Sequence, residues 1–215
     1  MALYPASEYD TVTSDGDYPE PGQEMTPRDD TALLLRAIAF AADRHRTKRR
    51  KDKDETPYIN HPIDVASRLA NTGAVQDTDV LVAAVLHDTI EDTHTTAAEL
   101  EQAFGERVRS LVLEVTDDKN VAKQDRKQRQ AEHAAHLSPP AKMIKLADQT
   151  SNVTDVALTP PQNWALERKR EYVDWAERVG AGCRGVNPEL DAAFVEALKL
   201  ARKVLAAEGS GPDAL

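Results

Sequence analysis

Four side chains in this sequence, His61, His87, Asp88 and Asp148, are of the types that hold a divalent cation, and two further acids, Glu91 and Asp92, follow the central pair closely. Two imidazoles and two carboxylates form a mixed nitrogen and oxygen donor set suited to Mn²⁺, Fe²⁺ or Zn²⁺, and less to Mg²⁺. An ion that keeps one position open lowers the pKa of water towards neutrality and polarises a phosphoryl oxygen. Glu91 lies four residues after His87 and three after Asp88, so it shares their face if the helix continues. Glu91 and Asp92 then supply carboxylates to hold and deprotonate the attacking water. The competing account is that Glu91-Asp92 ends a helix in solvent, although acids at a helix C-terminus are electrostatically unfavourable.

The setting of these residues sharpens the reading. His87-Asp88 follows Ala83-Ala84-Val85-Leu86, the end of the most apolar stretch. An imidazole and a carboxylate so near a core are costly unless paired, protonated or metal-bound. As adjacent helix residues they point roughly 100° apart, so both reach one ion only with a suitable approach at the helix end. A satisfied core histidine or a cap is the alternative for the dipeptide alone. Asp148 interrupts a second apolar stretch and shares a face with Asn152, four residues on; a structural hydrogen bond is its alternative. Lys142 and Lys145, one or two turns earlier, are available for phosphate or for a surface salt bridge. The remaining concentrated chemistry is a basic run, Arg44, Arg46, Lys48, Arg49, Arg50, Lys51 and Lys53, either a solvated loop or a phosphate site.

The elements that must position these groups read as helices. Thr26-Pro27 has the form of an N-cap with Pro in the first turn, followed by a helix to about Thr47. The basic run and Asp54-Glu55-Thr56-Pro57 form a loop, and a second helix begins near Pro62 and stops at Asn71-Thr72-Gly73. A buried helix runs from Thr78 to about Glu91, Thr96 to Glu99 is a capping box, and Gly105 separates two short helices. Residues 121–136 are polar enough for an exposed helix or a partly mobile lid. Pro139-Pro140 opens an apolar helix, and two more follow at about 161–183 and 188–207. Strand alternation is absent. The expected fold is all-α, a single-domain helical bundle of about eight to ten helices over residues 26–207, with a disordered acidic tail at 1–25 and a flexible tail at 208–215.

Composition restricts the function classes. The 215 residues are 40% hydrophobic and 30% charged, with one cysteine, so no internal disulfide or multi-thiolate zinc site is available and a reducing compartment fits. No apolar run approaches the roughly 20 residues that span a bilayer, and the N-terminus lacks a signal core, so a cytoplasmic protein with no membrane partner is expected. The net charge of −10 is uneven: residues 1–30 hold eight acids against Arg28 alone, leaving −3 for the other 185 residues. An acidic chain with one basic stretch is a poor general nucleic-acid binder but can hold one small phosphorylated ligand.

The ordered segments Thr56-Pro57-Tyr58-Ile59-Asn60-His61-Pro62, Leu86-His87-Asp88-Thr89-Ile90-Glu91-Asp92-Thr93, Glu114-Val115-Thr116-Asp117-Asp118-Lys119 and Lys145-Leu146-Ala147-Asp148 resemble those of the HD superfamily. The closer likeness, over about residues 32–205, is to the hydrolase domain of the RelA/SpoT homologues in its single-domain form, the small alarmone hydrolases. The resemblance implies one Mn²⁺ held by His61, His87, Asp88 and Asp148, and removal of the 3′-pyrophosphate of guanosine tetra- or pentaphosphate to leave GDP or GTP. It implies that Glu91 and Asp92 activate and orient the water, and that Asn152 lies near the sugar. Arg50 and Lys51 match its basic pair beside the base and the reaction centre; Lys123, Arg168 and Tyr172 match residues that meet phosphates at the rim. Gln149-Thr150-Ser151 departs from the bifunctional enzymes, which carry a basic residue and an aromatic or His there; this leaves the base preference and the sugar pocket open. The adenine analogue of the substrate and the 2′-phosphate of NADPH are rival substrates, and a silent nucleotide sensor or a helical nucleic-acid module are rival classes.

Overall fold

The computed structural model describes residues 29–119 and 121–210. The expected tail at 1–25, the Thr26-Pro27 cap and residues 211–215 lie outside the described residues. Helix α1 (Asp30–Arg44) is capped by Asp29, whose carboxylate accepts from the Ala32 amide at 2.9 Å, and stops at His45 rather than Thr47. After the basic loop comes α2 (Asn60–Ser67), which widens into a π turn at Arg68–Thr72 and ends at Gly73.

Helix α3 (Thr78–Leu86) is buried almost all round, with Val80, Val82, Ala83, Ala84, Val85 and Leu86 inside, and α1, α2 and α6 pack against it. The sequence predicts one helix to Glu91; instead the chain breaks at His87-Asp88 and restarts as the single turn α4 (Thr89–Asp92). The cause is local. The Thr89 hydroxyl donates to the Leu86 carbonyl at 2.7 Å, and His87 Nδ1 lies 2.7 Å from the Ala84 carbonyl oxygen. Side chains thus take carbonyls that a continuing helix would have used.

Helix α5 (Ala97–Phe104) carries the complete Thr96/Glu99 capping box, and Gly105, at φ 90°, turns the chain into α6 (Glu106–Val115). The polar segment forms α7 (Lys123–His133) with a 3₁₀ turn at Ala134–His136. Ser138 caps α8 (Pro139–Leu158), the longest element but one, on which α2, α3, α6, α9 and α10 all pack. Two long helices close the bundle, α9 (Leu166–Cys183) and α10 (Pro188–Gly209). Helix α10 continues past Ala207 because Glu208 accepts from Lys169 of α9 at 2.8 and 3.0 Å.

The described residues thus form nine helices of eight residues or more and the single turn α4, within the number expected from the sequence. They contain no strand; one isolated antiparallel bridge, Arg49 to Pro57, ties the arms of the basic loop. No helix among them is long and apolar enough to cross a membrane.

The α9/α10 seam is close-packed. A Cβ added at Gly180 would lie 2.2 Å from the Phe194 ring, which is itself buried. Gly180→Ala therefore costs about 1–3 kcal/mol by overpacking, and Phe194→Ala about 3–5 kcal/mol by leaving a cavity. Urea denaturation of both variants checks this; a Gly180→Ala midpoint equal to that of the parent would show that the seam is loose.

Candidate metal centre and active site

Three helices bring the four candidate ligands to one point. His61 is the second residue of α2, His87-Asp88 is the break between α3 and α4, and Asp148 lies midway along α8. His61 Nε2 is 3.2 Å from Asp148 Oδ1 and 3.9 Å from Asp88 Oδ2; His87 Nε2 is 3.3 Å from Asp88 Oδ2 and 3.8 Å from Asp148 Oδ1. Ligand atoms of His61, His87 and Asp88 all lie within 4.8 Å of one another. Donors at about 2.0–2.2 Å from a common ion stand roughly 3–4 Å apart, which is this spacing.

The surrounding groups fix the donors. Ser151 Oγ lies 3.2 Å from His61 Nδ1, and the Ala84 carbonyl takes His87 Nδ1, so both rings turn Nε2 inward. Asn152 donates to Asp148 at 2.6 Å, and the Tyr58 hydroxyl donates to Asp88. Such outer partners set ring tautomer and ligand orientation. His87 Nε2 is buried and makes no hydrogen bond, which is how a nitrogen reserved for a cation looks. Burial disfavours a charge on His87, but the carboxylates of Asp88 and Asp148 outweigh it and raise its pKa to about 9. Burial likewise opposes ionisation of Asp88, yet His87, His61 and the Tyr58 hydroxyl hold it well below the usual carboxylate range. The cluster attracts positive charge, and the residues fit a divalent cation.

Glu91 and Asp92 sit one turn beyond, in opposite settings. Burial first, then the charges of Asp88, Asp117 and Asp92, push Glu91 up to about 7. Asp92 is also partly buried, but Lys119, at 2.6 Å, and Lys48 both pair with it and hold it below its ordinary value. Its other oxygen partner is the Tyr58 hydroxyl at 3.1 Å.

A cavity of about 340 Å³ opens beside these acids, with Arg50, Lys51, Asp92, Asn152 and Tyr172 among its walls. Arg50 donates to Asn152 at 2.9 Å and to Asp155 at 2.5 Å, so Asn152 links the basic loop to Asp148. Arg168 lies outside this cavity: it stacks on Trp164 at 4.5 Å and lines an adjoining hollow with Lys51. Lys123 opens α7, and its side chain lies outside what the structure describes. Lys145 is buried rather than a surface group; it donates to the Val115 carbonyl at 3.2 Å, and against burial the carboxylates of Asp148, Asp117, Asp88 and Glu91 raise its pKa.

Residues 37–182 match the HD domain family. The chain belongs to that family. This HD-domain chain is 51% identical over 162 residues to the guanosine-3′,5′-bis(diphosphate) 3′-pyrophosphohydrolase MESH1 of Xenopus tropicalis, covering 75% of this chain and 90% of that protein. It is 49% identical over 170 residues to the Homo sapiens protein of the same name, covering 79% and 95%. A solved structure described as a metazoan ortholog of SpoT that hydrolyzes ppGpp superposes with a TM-score of 0.77 at 41% identity, over 85% of this chain and 99% of that one.

The HD site also contains groups that the sequence reading does not single out. Tyr58, Lys48, Lys119, Ser151 and Asp155 all touch the candidate ligands or their partners. Tyr58 lies three residues before His61 in the Thr56–Pro62 segment, the one signal that marks it; Lys48 is one cation among seven in the basic run. Behind Tyr58, burial and then Lys48 lower His45 to about 4, so this ring, 4.8 Å from Tyr58, is neutral.

Asp148→Ala should abolish stoichiometric divalent-metal binding, and Ser151→Ala should weaken it about tenfold by freeing the His61 ring. Calorimetric titration with Mn²⁺ tests both; parental affinity in Asp148→Ala would refute the ligand set.

Proposed function

We propose that this HD-domain protein removes the 3′-pyrophosphate of guanosine tetra- or pentaphosphate, leaving GDP or GTP, with one Mn²⁺ held by His61, His87, Asp88 and Asp148. The observation that carries the reading is the inward-facing His/Asp cluster beside the Glu91-Asp92 pair, of which Asp92 lines a nucleotide-sized cavity. The names of its relatives, with about half of the aligned residues identical, supply the substrate. An imidazole-containing donor set favours Mn²⁺ over Mg²⁺. When bound, the ion supplies a polarised phosphoryl oxygen and a more acidic water.

The chain's own groups do the rest. Glu91, poised near neutrality, takes a proton from the attacking water, whose oxygen bonds to the phosphorus next to the sugar. The bond from that phosphorus to the 3′ oxygen breaks, the 3′ oxygen gains a proton, and pyrophosphate leaves intact. Asp92, kept ionised by its lysines, orients the water. Arg50, fixed by Asp155, and Asn152 position the base and sugar. Lys51 lies with Arg50 beside the base and the reaction centre, and Lys123, Arg168 and Tyr172, the last with its ring centre 5.3 Å from that of Trp164, meet phosphates at the rim. The catalytic unit in this reading is residues 26–207 with the last turn of α10, flanked by an acidic tail at 1–25 and a C-terminal tail beyond that helix. It acts in the cytoplasm on a small nucleotide and not on nucleic acid; the lone Cys183, buried and reduced, agrees with that compartment.

Incubation with guanosine tetraphosphate and Mn²⁺ should yield GDP and pyrophosphate, and chelator should stop it; orthophosphate as the sole phosphorus product would overturn the reaction class. Glu91→Gln should keep the metal and lose at least about 10²-fold in turnover. Since the base must be deprotonated, activity falls as Glu91 gains a proton. Bound metal offsets the Asp88 charge that helps raise Glu91, so the acid limb should lie at or below about pH 7. A rate that rises as the pH falls below 7 would exclude Glu91 as the base.

A further inference from the structure

Lys48 lines the cavity, and the functional reading above gives it no contact with substrate. Its ammonium stands 3.6 Å from the centre of the Tyr58 ring and pairs with Asp92. Its backbone is fixed as well: the Lys48 carbonyl accepts from the Tyr58 amide at 3.1 Å, and the Arg49–Pro57 bridge ties the loop beside it. The aromatic face and the short loop hold the cation where it is. That place is the metal end of the cavity, because Tyr58 donates to Asp88 and the Asp92 amide donates to the Asp88 carbonyl at 2.9 Å.

The cations of the cavity are paired differently. Arg50 is offset by Asp155, and Arg49 and Lys51 also line the wall. At the metal end, Lys48 and Lys119 share the single carboxylate of Asp92, so one positive charge there has no counter-ion within the trio. Of the two, Lys48 lines the cavity, while Lys119 reaches Asp92 from the segment after α6 and is half-exposed. A surplus cation beside the metal cluster is where a polyanionic group would settle.

We propose that Lys48 is a substrate-contacting catalytic residue whose ammonium binds the 3′-pyrophosphoryl group and offsets the negative charge on its oxygens during transfer. The inference rests on the pyrophosphohydrolase reading and deepens it, by assigning the group that recognises what is transferred rather than the nucleoside. The contact is a charge-assisted one, replacing or sharing the Asp92 partner when substrate enters. Lys48 thereby distinguishes nucleotides with a 3′-pyrophosphate from those without it.

The test uses binding without turnover. In the Glu91→Gln background, loaded with Mn²⁺ at fixed free metal, equilibrium dialysis measures the affinities for labelled guanosine tetraphosphate and for GDP. Lys48→Met should reduce the preference for the tetraphosphate about tenfold or more, the loss expected of one charge-assisted contact. Lys48→Arg should retain most of that preference, and Lys53→Met, an exposed lysine of the same loop, should leave it unchanged. Unaltered preference in Lys48→Met, or an equal weakening of GDP and tetraphosphate, overturns the proposal. So does loss of Mn²⁺ affinity in Lys48→Met, which would place its effect in the metal cluster. A background protein that binds tetraphosphate no better than GDP would instead sink the substrate assignment, and this inference with it.

Discussion

Two imidazoles and two carboxylates share the apolar interior of this bundle, and the arrangement is sustainable only with positive charge at their centre. Dispersing those charges in a core without a partner would be far more costly than any single packing defect. The surrounding architecture is organised to meet that condition. Helix α3 is the most enclosed of the described elements, and it ends in the His87-Asp88 break. Helix α8, on which most of the bundle packs, buries Asp148, Gln149, Thr150 and Ser151 consecutively, and three of the four turn their polar atoms towards the cluster or towards their own backbone. Asp148, Thr150 and Ser151 are tolerated at the centre of the helix because each has a partner, whereas the buried Gln149 Oε1 has none among the described residues.

The break after Leu86 answers a geometric difficulty evident from the sequence. Adjacent residues in a regular helix diverge by roughly 100°, so His87 and Asp88 could not both address one ion from an uninterrupted turn. Asp88 sits at φ −97° and ψ −2°, outside regular helix, and this rotation brings its carboxylate to 3.3 Å from the His87 ring. The sequence pattern did not reveal the break, because Val80, Leu81, Ala84 and Val85 keep helical spacing up to it. Periodicity reports which face is buried; it is blind to a carbonyl captured by a threonine hydroxyl.

The same distinction separates what else was legible. The ligand types, the capping box at Thr96 and the Gly105 separator were readable because each rests on local chemistry that only a few residues can supply. Lys48 was not, since charge alone does not tell which member of a basic run turns inward; the Tyr58 ring and Asp92, brought in from 10 and 44 positions away, decide it. Lys145 was placed at a phosphate or the surface for a similar reason. Its actual partner is a backbone carbonyl, a group that no sequence pattern marks.

The acid pair shows how the fold divides labour between neighbours of one chemical type. Glu91 and Asp92 are adjacent on the single turn of α4, so their side chains leave it in different directions. Glu91 faces Asp117, whose amide donates to it at 3.4 Å and whose own carboxyl is raised by burial. Asp92 faces Lys48 and Lys119. One carboxyl is therefore held near neutrality and can exchange a proton, while the other stays charged and can only accept hydrogen bonds. Environments that push two titratable neighbours apart are how one site supplies both a base and a fixed anion. Had α3 continued unbroken through residue 92, Glu91 would have stood on the face of His87 by helical spacing, rather than between Asp88 and Asp117. The helix break that aligns the ligands thus also separates the two acids.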